Sequence, residues 1–298
     1  MTVRDLWTIV REACRESLAD RVPRLGAALA FYMTFTLAPL LLVVVAIAGL
    51  AFGRQAAEGR LLIEMKSLVG DEAAMTLETL IAAAGRQGSG VIASVVGGTI
   101  ILVGAVGFFL ELQDALNTVL EVQLKPGGGL WHLVRGRILS FLLVLGSALL
   151  LLVSLAVSTT VTAINGTLGL AESANMGYLV LIQVIPTFVS FGVITILFAM
   201  IYRFLPDARL VWRDVWIGSI VTSMLFTLGK SLVGLYLGHT AISSLFGAAA
   251  SLIVLMLWNY YTAQIFLFGA ELTKAYAQHC GVGIVPKAHA ERTPANSE

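Results

Sequence analysis

The feature that most constrains this chain is the length of its charge-free stretches. Residues 27–53 contain no Asp, Glu, Lys or Arg, and neither do residues 87–110. Residues 138–171 and 173–202 are equally bare, with Glu172 alone between them. Residues 215–229 follow, then Lys230, then an uncharged run from 231 to 270. A helix needs about 20 predominantly apolar residues to cross the hydrocarbon of a bilayer. The last run is long enough for the end of one helix, a turn at Gly238, His239, Ser243 and Ser244, and a second helix. Six spans are therefore expected, over residues 27–52, 90–112, 138–162, 178–202, 213–237 and 247–270. Barrel strands are excluded, because they alternate in polarity over only about 10 residues each. The expected fold class is all-α: a polytopic integral membrane protein with six transmembrane helices and short amphipathic helices at the N-terminus and in the first outer loop.

Composition agrees. The chain is 58% hydrophobic and 12% charged, where a soluble domain carries about 25% charged residues. That excludes an ordinary soluble globule and a disordered chain. A net charge of +1 gives no footprint for a nucleic-acid partner; membrane lipids are the expected surroundings. Cys14 and Cys280 stand far apart in the chain and form neither a disulfide framework nor a metal cluster. The first run starts well into the chain and is itself long, so a cleaved signal peptide is not expected.

Orientation follows from Lys and Arg. One side receives Arg4, Arg11, Arg15, Arg21 and Arg24, then Lys125, Arg135 and Arg137, then Arg203, Arg209 and Arg213, and finally Lys274, Lys287 and Arg292. The other side receives Arg54, Arg60, Lys66 and Arg86. The positive-inside rule puts both termini in the cytoplasm, with Trp131, Trp212 and Trp216 as anchors near the inner boundary. The organisation expected is a cytoplasmic amphipathic segment (1–26), a six-helix domain (27–275) and a disordered polar tail (276–298). Residues 1–26 read as a helix lying along the inner surface. The loop at 53–89 reads as two short helices over the outer mouth, the second capped by Asp71. Lys125-Pro126-Gly127-Gly128-Gly129 reads as a break.

No catalytic motif is present: there is no His-Glu-x-x-His, no Cys-x-x-Cys and no Gly-x-Ser-x-Gly. Gly229-Lys230-Ser231 ends like a phosphate loop, but Met224 stands where the first glycine belongs. The histidines have no metal-ligand spacing. No metal, cofactor or enzymatic activity is expected. Asn165-Gly166-Thr167 is a weak glycosylation sequon.

The informative residues are polar ones at membrane depth. Lys230 lies 17 residues past Arg213, about 25 Å along a helix, and a Lys within a span costs about 2.5–3.5 kcal/mol on insertion scales. It either snorkels to the headgroups or meets an anionic substrate. Asn259, Tyr260 and Gln264 lie near mid-membrane in the sixth span, with Glu271 at its inner end; Tyr260, Gln264 and Glu271 share one face. Interhelical hydrogen bonding is the plainer reading, a polar substrate path the sharper one. Glu111, Asp114, Asn117 and Glu121 share a face at the end of the second span, either solvated or an acidic inner vestibule paired to Arg203 or Arg137. Pro39 and Pro186 interrupt the first and fourth spans, with Thr34 nearby to satisfy a freed carbonyl. Broken helices in corresponding positions of two inverted halves point to a binding region. Together with Tyr32, these define a candidate substrate path of Tyr32, Thr34, Pro39, Pro186, Lys230, Asn259, Tyr260 and Gln264. A candidate cytoplasmic charged cluster comprises Glu111, Asp114, Arg137, Arg203 and Glu271. Small-xxx-small pairs such as Gly218/Thr222 and Gly234/Gly238 imply close helix contacts, within one chain or in a homo-oligomer.

At these residues the chain resembles a known family. Ala27-Ala28-Leu29-Ala30-Phe31-Tyr32-Met33-Thr34-Phe35-Thr36-Leu37-Ala38-Pro39-Leu40 resembles the opening signature of the YihY/BrkB family of bacterial inner-membrane proteins. Ala115-Leu116-Asn117-Thr118-Val119, Tyr202-Arg203-Phe204-Leu205-Pro206-Asp207 and the stretch from Ser244 through Trp258-Asn259-Tyr260-Tyr261 to Glu271-Leu272 continue it in order. The resemblance implies six spans and cytoplasmic termini. Members are linked to serum resistance and virulence, and some carry an old ribonuclease BN label. Three functions are weighed: a permease or flippase-like transporter for an amphiphilic or anionic substrate; a non-transporting scaffold in envelope assembly; and, least supported, a nuclease.

Overall fold

The computed structural model describes residues 3–36, 107–125, 176–239, 248–281 and 283–293. Six helices are introduced here in chain order. α1 is Val3–Ala19, α2 covers 22–36 and α3 covers 107–119. α4 is Met176–Phe204, α5 is Trp212–His239 and α6 is Ala248–Cys280. Four short strands join them: β1 (Val122–Leu124), β2 (Ala208–Arg209), β3 (Val285–Pro286) and β4 (Ala290–Arg292). The chain is predominantly helical over these residues, in keeping with the all-α expectation. α4, α5 and α6 coincide with the fourth, fifth and sixth expected spans. The first and second spans are described only in part. The third span, the outer-loop helices, Pro39, Arg137 and Trp131 lie outside the described residues. Pro186 lies within α4, which runs helical through it.

α5 shows why these helices need lipid. Trp212, Trp216, Ile220, Met224, Leu228 and Leu232 recur every fourth residue, and all are exposed. They form one apolar stripe about 30 Å long, the thickness of a bilayer's hydrocarbon. The opposite face carries Val215, Ser219, Thr222 and Ser223, all buried. Large apolar groups outside with small and hydroxyl groups inside invert the pattern of a water-soluble helix. Helices in lipid associate this way, because tight backbone approach and hydrogen bonds replace a hydrophobic drive. Two of the buried hydroxyls return to their own helix: Ser219 donates to the Val215 carbonyl at 2.8 Å and Thr222 to that of Gly218 at 2.8 Å. By length and composition, Trp212–Leu232 and Ile253–Cys280 are both able to cross a membrane.

α5 packs against α4 on one side and α6 on the other, and α1 lies along α6. A Cβ on Gly218 would strike Thr273 and the Gly269 carbonyl, and one on Gly269 would strike Thr222 and the Tyr202 hydroxyl. Both glycines let α5 and α6 touch backbone to backbone. The main core joins Leu112, Leu116 and Val119 of α3, Phe198 and Tyr202 of α4, and Phe266, Leu267 and Ala270 of α6. Tyr202 is central: its hydroxyl donates to the Phe266 carbonyl at 2.6 Å and meets the Thr222 hydroxyl at 2.9 Å. A smaller cluster seats Ile9 and Ala13 of α1 on Leu272, Ala275 and Tyr276 of α6. The amphipathic N-terminal helix thus docks on the protein through one face. Among its described side chains, Trp7, Val10 and Leu18 stay exposed.

The polar tail departs from expectation. Instead of being disordered from 276, α6 continues to Cys280 and the chain then forms β3 and β4. β3 pairs antiparallel with β2, and β4 with β1. Ile284 is buried in the main core, so a polar-looking segment is held by one apolar anchor and a strand ladder on each side.

Candidate functional site

Two polar centres form where the helices end near Trp212. The first surrounds Asp207, in the turn between α4 and β2. Its carboxylate accepts from Asn117 Nδ2 (2.9 Å), Gln113 Nε2 (3.0 Å) and His289 Nε2 (2.9 Å). Asn117 Oδ1 accepts in turn from the Asp207 backbone N–H at 2.8 Å. Lys287 Nζ donates to the carbonyls of Pro206 (2.6 Å) and Phe204 (3.2 Å). Asn117 and Asp207 are both buried; paired this way, neither leaves a dry polar atom unsatisfied. The tail is therefore strapped across the ends of α3 and α4. Replacing Asn117 by Leu removes two of these bonds, leaving the buried Asp207 carboxylate with two donors instead of three and its backbone N–H without the Asn117 acceptor, a loss of about 1–3 kcal/mol. The expected result is faster tryptic cleavage at Lys287 and Arg292 than in wild type, read by limited proteolysis of the detergent-purified protein. Equal cleavage rates would show that the strap does not depend on Asn117.

The second centre surrounds Lys274 of α6, which is buried. Its Nζ lies 2.8 Å from Glu16 Oε2, 3.2 Å from Glu121 Oε1, 3.2 Å from Glu271 Oε2 and 3.5 Å from Asp20 Oδ2. Local backbone explains how three segments reach one atom. α1 is followed by Arg21 at φ 54°, and α3 by Glu121 at φ 54°. Both stops are left-handed residues of the kind that terminate helices. They turn the chain sharply and leave Asp20 and Glu121 beside α6. Farther along α6, His279 Nδ1 meets Glu12 Oε2 of α1 at 3.2 Å. Cys14 and Cys280 are both exposed and free.

The residues of the expected substrate path are distributed as follows. Asn259 is buried and donates to Thr34 Oγ1 at 3.0 Å, and Thr34 donates on to the Ala30 carbonyl at 2.8 Å. Gln264 donates to the carbonyls of Val22 and Pro23 at the start of α2. These two groups are spent on joining α6 to α2, the plainer of the two readings. Tyr260 is half-buried, and Tyr32 is exposed beside Phe31. The neighbour Tyr261 makes the helix contact instead: its ring lies on Gly229, and its hydroxyl donates to the Leu225 carbonyl at 2.8 Å. Lys230 is half-buried. At its own level of α5 it lies opposite Leu228 and Leu232, the last members of the lipid stripe.

The expected charged cluster is regrouped. Glu271 belongs to the Lys274 centre. Asp114 is exposed and Glu111 half-buried. Arg203 lies over the Trp212 ring at 5.8 Å, and among the described residues no ion pair joins it to Glu111 or Asp114. The single acidic face therefore divides, because Asn117 turns to Asp207 while Glu121 is carried past the helix end to Lys274. Sequence reasoning counted Lys274 only for orientation and passed over Asp207, Glu16 and Asp20 as site residues. The available signal was Glu271–Lys274 at i, i+3 on an otherwise apolar helix.

A helix lined inside with hydroxyls and glycine and outside with a bilayer-length apolar stripe defines a helical integral membrane protein. The sequence matches the family described as Virulence factor BrkB over residues 13–294, and the chain belongs to that family. It is similar to a UPF0761 membrane protein of Verminephrobacter eiseniae, 29% identical over 90% of this chain and 62% of the relative. A UPF0761 membrane protein of Albidiferax ferrireducens is 30% identical over 93% of this chain and 64% of the relative. One of Ralstonia nicotianae is 27% identical over 91% and 59%. The chain thus spans roughly three-fifths of the length of these relatives. No solved structure matches it.

Proposed function

We propose that the chain is a non-enzymatic permease of the bacterial inner membrane, flippase-like in moving an amphiphilic or anionic substrate. Lys230 is the observation that carries this reading. It stands near the Leu232 end of the lipid stripe but on the other side of α5, half-buried. Among the described residues no carboxylate pairs with it. An ammonium held at membrane depth without a counter-ion is costly, and an anionic headgroup or solute passing that side supplies the missing charge. Both termini are cytoplasmic in this reading, lipids surround the helices, and small-residue faces leave room for a homo-oligomer.

Reconstitution in liposomes tests it. Wild type is expected to translocate anionic lipid or solute above protein-free vesicles, Lys230→Ala to lower that flux about tenfold, the loss of roughly one charged contact of 1.4 kcal/mol, and Lys230→Arg to retain most of it. Wild-type flux equal to that of empty liposomes would remove the transport reading. A second reading, a scaffold for envelope assembly, is favoured by Asn259 and Gln264, which are both spent on helix contacts. It has no substrate path, and crosslinked partners without flux would support it. Nuclease activity has the least support, since the sequence carries no metal-binding constellation and no basic groove.

A further inference from the structure

Four carboxylates converge on one ammonium where α1, the residue after α3 and α6 meet. With every group ionised, three negative charges would remain uncompensated. Glu271 is fully buried and its Oε1 has no hydrogen-bond donor among the described residues. Asp20 Oδ2 is likewise buried without one, and the two carboxyl groups crowd the same ammonium, Glu271 Oε2 at 3.2 Å and Asp20 Oδ2 at 3.5 Å from Lys274 Nζ. Two carboxylates have four acceptor oxygens and no hydrogen, so they attract only if one carries a proton. Like charges sharing a dry site cannot both ionise.

We propose that the buried carboxyl group of Glu271 keeps its proton at neutral pH and donates it to the Asp20 carboxylate, and that this hydrogen bond holds α1 on α6. The proton bridges the two carboxyl groups. When it leaves to water, the pair gains one negative charge, and repulsion acts on Asp20 at the end of α1. The groups facing the pair are Lys274 on α6, Glu16 on α1 and Glu121 after α3. Lys274 attracts both states of the pair but cannot neutralise four carboxylates. Glu12 and His279 form a separate pair nearer the start of α1, and His279→Gln takes that pair out of the experiment. The inference stands apart from transport, since the proton site exists whether or not a substrate moves.

The full chain in lipid nanodiscs supplies the test. Infrared difference spectroscopy of a pH titration reads the C=O stretch of a protonated, buried carboxyl group. Hydrogen exchange of residues 9–19 reads the docking of α1. Wild type is expected to show the carboxyl band at neutral pH and to lose it on alkalinisation. Exchange in α1 should then rise about tenfold beyond its intrinsic pH dependence. Glu271→Gln places an amide donor where the proton was, so it should lack the band and keep α1 protected at alkaline pH. Asp20→Asn gives the same substitution from the other side and serves where Glu271→Gln does not fold. Absence of the band in wild type at neutral pH, its persistence in both variants, or α1 exchange that follows only intrinsic chemistry would each overturn the proposal.

Discussion

Lys274→Met is expected to destabilise the protein by about 3–5 kcal/mol, the cost of leaving buried charge without its partner. The ammonium is 1% exposed and is shared by Glu16, Asp20, Glu121 and Glu271. Methionine keeps most of the packing volume, so the loss isolates charge from cavity formation. Glu121 is 55% exposed and contributes least, because water screens it. Glu16, the closest carboxylate at 2.8 Å, contributes most. Acid should rescue the variant in part: protonating the carboxylates removes the repulsion that Lys274 no longer offsets. Adding Glu16→Gln, which removes the carboxylate nearest the ammonium, should rescue it at neutral pH as well. Thermal unfolding in detergent, followed at acidic and neutral pH, reads all three. A Lys274→Met protein that melts like wild type at neutral pH would mean that the charges are not held as the structure places them.

Gly218→Leu is expected to separate α5 from α6. The obstacle to a side chain at Gly218 includes the Gly269 backbone carbonyl, which cannot rotate away as a side chain would. Overpacking of this kind costs about 1–3 kcal/mol or more. The same shift disturbs Thr222 and Tyr202, which meet across the contact. Gly192→Ala in α4 is the control. A Cβ there meets nothing within 4 Å, and alanine is the better helix former. Melting temperature and folded yield in detergent should fall sharply for the first and stay level or rise for the second. Equal tolerance of both would contradict the close α5–α6 approach.

How far the sequence reveals this molecule depends on the range of each interaction. α4, α5 and α6 were legible because hydropathy is a local property summed over twenty residues. The small-residue pair Gly218/Thr222 announced a close contact for the same reason. Asn259 and Gln264 were legible as polar groups needing partners, but their partners, Thr34 and the Val22 and Pro23 carbonyls, lie more than two hundred residues away in sequence. The Lys274 centre was invisible for a like reason. Glu16 and Asp20 read as charges on a solvated helix, and nothing local says that α1 folds back on α6. Glu121 was assigned to the face of Asp114 by helical spacing, but it adopts φ 54° just past the helix and leaves that face. The tail misled because its composition is polar. Strand pairing with residues 122–124 and 208–209 satisfies its backbone, and composition carries no trace of a partner.

In the proposed topology α5 and α6 cross the bilayer, with α1 and the end of α6 on the cytoplasmic face. The chain has two cysteines, and Cys14 and Cys280 are both exposed, so the native protein carries its own probes. Labelling with a membrane-impermeant maleimide, in intact spheroplasts and in inverted inner-membrane vesicles, reads the side directly. Both cysteines are expected to label in inverted vesicles and neither in spheroplasts; labelling of either cysteine in spheroplasts would overturn this topology.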